Sequence, residues 1–327
     1  METTREIYVD DLDTDELRDG FLVTSHRKKL WNVQINLMKE VARICEKYGI
    51  RWFAISGTLL GAVRHKGFVP WDDDVDIAML RPDYAKFQEV AKKEIREPYF
   101  LDVWYDYRLE SEGASLTDRE GDFQFITAEQ EKKSPLRWLS QWPSIRIRDN
   151  RTTMIEIPDR NFINQGIFVD IFPLDPWPPF KKKSQMETFN YAGLLTTAAA
   201  SPKRIRLLSK ENSTVDYSRW NLFISMPYRV RGKFFEKFML EHFFSSECLG
   251  DIWAVTLVPN NRYYFSKAFD DVVYLPFEKI EVPAPADYES VLDTFYGDWR
   301  KPVMTHLHST IYSADIPYKE FFDKAKL

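Results

Sequence analysis

Apolar residues recur at steps of three or four between positions 25 and 48, as Leu30, Val33, Leu37, Val41, Ile44 and Tyr48. That spacing predicts an amphipathic helix with one stripe facing a core, and Gly49 supplies its stop. Cys45 borders the stripe and reads as a small core residue. The pattern then changes. Residues 50–55, IRWFAI, form a short apolar run that predicts a strand, broken by Ser56-Gly57. Residues 58–65 predict a short helix, residues 66–71 a loop holding Gly67 and Pro70, and residues 75–80, VDIAML, a second strand. Pro82 suits the first turn of a helix over 82–94, with Tyr84, Phe87 and Val90 on one face.

Beyond that point the pattern is looser. Residues 109–135 are polar and irregular, and predict a long insertion loop. PSIRIRDNRTTMIEI reads as a hairpin turning at Asp149-Asn150, and GIFVDIF as a buried strand ended by closely spaced prolines. YAGLLTTAAA and GKFFEKFMLEHFF predict helices; Phe234, Phe235, Phe238, Met239 and Phe243 give the second an apolar face that reads as core packing. The tail from Leu275 to Trp299 predicts a proline-rich stretch running into a short helix.

Composition narrows the class. A chain of 327 residues with 44% hydrophobic and 15% aromatic content builds a sizeable core. The net charge of -5 argues against a nucleic-acid partner, and it hides an asymmetry. Residues 1–20 hold eight acids and two bases, whereas residues 181–237 hold twelve bases and four acids. Two cysteines, Cys45 and Cys248, make neither a disulfide framework nor a metal-ligand spacing, which suits a reducing cytosol. The acidic N-terminus does not read as a signal peptide, and no apolar run approaches the roughly 20 residues that cross a bilayer. A cytoplasmic protein is expected, with peripheral contact at the inner face of a membrane through the basic stretch 181–237.

One run demands chemistry. In GFVPWDDDVDIAML, four aspartates fall within five positions and lead directly into an apolar strand. Crowded carboxylates repel, and burying one without a partner costs several kcal/mol. Read as a strand, the run puts Asp74 and Asp76 on one face, and a divalent cation such as Mg2+ or Mn2+ between them resolves the repulsion. Asp73, of opposite phase, reads as solvated. Just upstream, a strand ending at Ser56-Gly57 and opening into a helix presents backbone N–H groups to an anion, and Arg64, His65 and Lys66 follow. Asp170, inside GIFVDIF, is an acid among apolar residues and fits a place beside Asp74 and Asp76 on a neighbouring strand.

These residues carry a resemblance. SGTLLGAVRHKGFVPWDDDVDI resembles the signature of the LicD family, which includes phosphocholine transferases and is similar to fukutin-related proteins. GIFVDIFPLD and the late LPFE…VPAPADY…YGDW are similar to its second and third blocks. One departure is that the family often has Gly-Gly or Gly-Ser where this chain has Ser56-Gly57.

The resemblance implies an α+β fold: a nucleotidyltransferase-like mixed β-sheet flanked by helices, with a mostly helical C-terminal lobe. The expected division is an acidic segment 1–24, a catalytic core 25–180, and a lobe 181–327 that completes the acceptor side. It implies transfer of a phosphorylated small alcohol, phosphocholine from CDP-choline first among them, to a hydroxyl of a cell-surface glycan, a lipid-linked glycan or a teichoic-acid precursor. Asp74, Asp76 and Asp170 are then the metal ligands. Asp170 and Asp72 are the candidate bases, and Asp72 can also serve as an outer ligand. Ser56, Gly57, Thr58, Arg64 and Lys66 would bind donor phosphate. Trp71 is the choice for a choline-binding aromatic face, with Trp177, Trp299 and Tyr296 also in or beside the blocks.

Other readings compete for the acids. A calcium loop starting at Asp72 would need Gly at Ile77 and Glu at Asp83, so the spacing fails. A nucleotide-sugar glycosyltransferase also uses an Asp-x-Asp metal pair, and a non-catalytic nucleotide binder could keep the same pocket. The Ser-Gly turn and the third acid favour the transferase reading.

Overall fold

The computed structural model describes residues 5–109, 124–126, 143–155, 163–176, 226–241, 243, 245–250, 263–304 and 310–325. Chain order begins with a hairpin, β1 (Glu16–Arg18) and β2 (Phe21–Val23), followed by α1 (Ser25–Tyr48). The predicted helix is present in full. Thr24 caps it by accepting from the Arg27 N–H, and Gly49 closes it in the left-handed conformation at φ 60°. Its buried face holds Leu30, Val33, Leu37, Val41, Ile44 and Cys45.

Next come β3 (Phe53–Ala54), α2 (Ser56–His65), β4 (Asp76–Leu80) and α3 (Arg81–Glu94). β5 (Tyr99–Val103), β6 (Tyr107–Leu109), β7 (Gln124–Ile126), β8 (Ile145–Asp149) and β9 (Thr153–Ile155) lead to β10 (Ile167–Pro176). This last strand is buried along its whole length and is the spine of a seven-stranded mixed sheet. It runs parallel to β4 with Asp170 opposite Asp76, and antiparallel to β8, which in turn pairs with β5. A strand flanked on both edges and both faces must read as continuously apolar, which IFVDIF does apart from its acid.

After residue 226 the described chain contains α4 (Tyr228–Glu241), β11 (Cys248–Gly250), β12 (Tyr264–Phe265), β13 (Val272–Phe277), β14 (Ile280–Pro285), α5 (Tyr288–Tyr296), β15 (Ile311–Ser313) and α6 (Tyr318–Ala325). β11 pairs with the end of β10, and β12 pairs with β11. Among the described residues this half is thus mixed and not mostly helical. The proline-rich tail forms the β13–β14 hairpin, a two-stranded unit whose free edges tolerate Pro276, Pro283 and Pro285.

A second difference concerns residues 145–155. β8 and β9 do not pair with each other; β8 joins the main sheet, whereas β9 pairs with β15 from the far end of the chain. The local turn signal at Asp149-Asn150 is real, but long-range partners win both strands. Insertion-loop residues 110–123 and 127–135, the helix read over 191–200, Trp177 and the basic stretch as far as residue 225 lie outside the described residues. Among the described residues, no helix is long and apolar enough to cross a membrane.

Candidate active site

Local geometry converges on the turn after β3. That strand runs antiparallel to β4, and the Ile55 N–H donates to the Asp76 carbonyl at 3.2 Å. Ser56 then adopts φ 51°, a left-handed conformation that costs a non-glycine residue on the order of 1–2 kcal/mol. Such strain persists only where the surroundings over-determine it, and here it turns the chain from β3 directly into α2. Gly57 follows. A Cβ there would fall 2.2 Å from Asp72 Oδ2, so only glycine lets that carboxylate rest on the first turn of the helix.

The acid run is extended, and it alternates. Trp71, Asp73, Val75 and Ile77 are buried, while Asp72, Asp74 and Asp76 are half-buried. The common phase of Asp74 and Asp76 therefore holds, although only Asp76 lies within β4. Asp73 has the opposite phase but is not solvated: that face is the core, and Asp73 is 1% exposed. Carboxylate oxygens of Asp72, Asp73 and Asp74 all lie within 4.8 Å of one another. Burial pushes the Asp72 carboxyl up to about 6, with the charges of Asp76 and Asp73 adding to the rise and a hydrogen bond with Asp74 opposing it. A hard, all-oxygen donor set with this charge density suits magnesium or manganese.

A cleft of about 400 Å³ opens over these acids. Ser56, Gly57 and Arg64 of α2 and Trp71, Asp72, Asp74 and Asp76 line it. So do Tyr296, Asp298, Trp299 and Lys301, from α5 and the turn after it. Arg64 ties the two walls together by donating to the Trp299 carbonyl at 2.8 Å. Its guanidinium lies 6.0 Å from the centre of the Trp71 ring, so a cation already sits over the aromatic face expected to hold choline. The Tyr296 phenol, in the same cleft lining, is raised first by burial and then by the charges of Asp76, Asp72 and Asp74.

Three predicted residues lie elsewhere. Thr58 is buried and its hydroxyl accepts from the Asp76 N–H at 2.9 Å, so it holds the start of β4. Lys66 is exposed and caps the C-terminal end of α2 at φ 55°. Asp170 is not on the cleft wall; both its oxygens accept from Arg146, at 2.6 and 3.1 Å, while its backbone lies opposite Asp76. His65 Nε2 lies 2.8 Å from Asp19 Oδ2, at the tip of the β1–β2 hairpin, and Phe21 of the same hairpin meets the Trp71 ring edge-on. The acidic N-terminal segment is thus packed against the site.

Residues 49–163 match the family model described as LicD/FKTN/FKRP, nucleotidyltransferase domain. Those residues are a LicD-family domain. The chain is 26% identical over 277 residues to the lipopolysaccharide cholinephosphotransferase LicD of Haemophilus influenzae, covering 82% of this chain and 89% of that protein. It is 46% identical over 54 residues to an uncharacterised protein of Rickettsia typhi, covering 16% and 18% of the two chains. With the human ribitol 5-phosphate transferase FKRP the identity is 33% over 64 residues, 18% of this chain and 13% of that one. The LicD-family span includes α2, the acid run, β4 and β8; β10 with Asp170 and the Tyr296–Lys301 wall lie beyond it.

Proposed function

We propose that the chain is a metal-dependent transferase. It moves a phosphorylated small alcohol, with phosphocholine from CDP-choline as the leading donor, to a hydroxyl of a cell-surface glycan or its lipid-linked precursor. The observation that carries this reading is the cleft's mixed chemistry: the carboxylates of Asp72, Asp74 and Asp76 beside a helix start and Arg64. A metal-bound diphosphate needs that combination. Likeness to a cholinephosphotransferase along most of both chains supports the phosphocholine choice, and the shorter likeness to a ribitol phosphate transferase keeps the reaction type but widens the alcohol.

Asp74 and Asp76 would hold the cation, with Asp72 beside them. A bound divalent ion neutralises the donor phosphates and the charge that develops on them. The backbone N–H groups at Ser56 and Gly57 orient the phosphate, and Arg64 adds a charge-assisted donor from the same helix. Asp72, with its raised pKa, accepts the proton of the attacking hydroxyl. Asp170, beside Asp76 on the neighbouring parallel strand, is a fixed charge paired with Arg146. Thermal unfolding with magnesium or manganese tests the donor, using CDP-choline, CDP-ethanolamine, CDP-glycerol, CDP-ribitol and nucleotide sugars. Metal-dependent stabilisation by a CDP-alcohol is expected, about 2.7 kcal/mol at one hundred times its Kd. Stabilisation by a nucleotide sugar alone replaces this reading with glycosyl transfer.

A further inference from the structure

The acid run is held in place by a row of donors on α1. Arg27 Nη1 and Trp31 Nε1 both donate to the Asp72 carbonyl, at 2.7 and 3.1 Å, and Gln34 Nε2 donates to the Asp73 carbonyl at 2.7 Å. Positions 27, 31 and 34 are four and three apart, so they form one line along the helix. The row reads the backbone of two successive residues of the acid run, Asp72 on the cleft and Asp73 on the core side. Gln34 is the informative member. It is fully buried, and its Oε1 has no hydrogen-bond partner among the described residues, an arrangement that costs stability compared with an apolar side chain of the same size. Folding alone favours Leu or Met at that position of an apolar face.

We propose that Arg27, Trp31 and Gln34 are positioning residues that set the carboxylates of Asp72 and its neighbours for cation binding. The inference rests on the metal-dependent reading above. Extended chain carrying four like charges tends to splay, because each carboxylate gains by moving away from the next. Donors to the carbonyls hold the peptide planes, and with them the directions from which the carboxylates reach an ion. On the other side, Gly57 admits Asp72 Oδ2 and the Thr58 hydroxyl fixes the Asp76 N–H. The run is thus gripped from α1 and α2 together.

The test uses the full chain and manganese alone as probe, with binding followed by calorimetry and unfolding followed in chelator. Gln34→Met and Trp31→Phe each remove one donor while keeping most of the volume. Each is expected to weaken manganese binding roughly 10-fold, in the range found when groups that orient metal ligands are removed. The Tm in chelator should move by no more than a few degrees, and KM for the acceptor should stay unchanged while kcat at limiting metal falls. Arg27→Met should behave likewise, with Arg27→Lys restoring affinity. Manganese bound equally by wild type, Gln34→Met and Trp31→Phe overturns the positioning role alone. A wild type that takes up no manganese overturns the metal reading and this inference with it. Gln34→Met also guards against a Trp31→Phe protein that fails to fold.

Discussion

Two regions of this molecule bury negative charge in opposite ways. Along the central sheet, four described carboxylates meet guanidinium groups. Asp102 accepts from Arg148 at 2.6 Å, Asp170 from Arg146 at 2.6 Å, and Asp175 and Glu236 share the buried Arg81. At the cleft, Asp72, Asp73 and Asp74 crowd within 4.8 Å, and donors from α1 hold the backbone carbonyls of Asp72 and Asp73. The first arrangement is a scaffold, closed on itself. The second gathers like charges on the lining of a cleft. Under the proposed function, a guanidinium partner would mark the structural acids and crowding at the cleft the reacting ones.

The contrast can be broken from either side. The largest expected effect is structural: Asp102→Ala leaves Arg148 buried without its carboxylate and should cost about 3–5 kcal/mol in urea unfolding. Metal-dependent stabilisation should survive it, and its loss would erase the distinction. On the cleft side, Asp74→Asn and Asp76→Asn should fold normally yet lose on the order of 10²–10³ in turnover with the true donor. Wild-type turnover in both would place the reacting centre elsewhere.

Smaller changes sharpen the comparison. Gly57→Ala pushes a methyl group into Asp72 Oδ2 while suiting a helix, so the fold should tolerate it. Manganese affinity and turnover should fall roughly 10- to 100-fold, because misplacing a reacting group by an ångström is costly. The last effect has a pH signature. Asp72 sits at about 6 in the folded chain against an ordinary 3.8, so the folded state binds its proton more tightly than the unfolded chain does. Its ionisation therefore costs nothing below about pH 4, and the cost is complete once pH rises through 6. In chelator, Asp72→Asn should be more stable than wild type by on the order of 3 kcal/mol at pH 7, with the gap closing as pH falls to 4. Saturating manganese should reverse the order at pH 7, and a gap that ignores pH would refute the charge-crowding account.

Much of the site was legible before any coordinates. α1 announced itself through Leu30, Val33, Leu37, Val41 and Ile44, and a glycine stop is a local signal that tertiary context seldom overrides. The Ser56-Gly57 turn, the alternation through Asp72, Asp74 and Asp76, and the lone acid in β10 were equally readable, because strand period and helix start are properties of a few neighbouring residues. Gln34 went unread, although its spacing of four from Leu30 and three from Leu37 puts a polar residue beside the apolar stripe.

What only the tertiary structure decided were the partners. Nothing near Asp73 in the chain says that its side of the strand faces the core, since alternation gives phase but not which face is wet. Arg146 was needed to show where the charge of Asp170 goes, and that pairing spans 24 residues through a strand register. The strands β8 and β9 were separated by β10 and by β15, the latter more than 150 residues away. The Arg64 bond to the Trp299 carbonyl crosses 235 residues to close the cleft. Local periodicity follows from backbone geometry within a few residues. The identity of a facing group depends on chain closure over hundreds of residues, and that is settled only when the core packs.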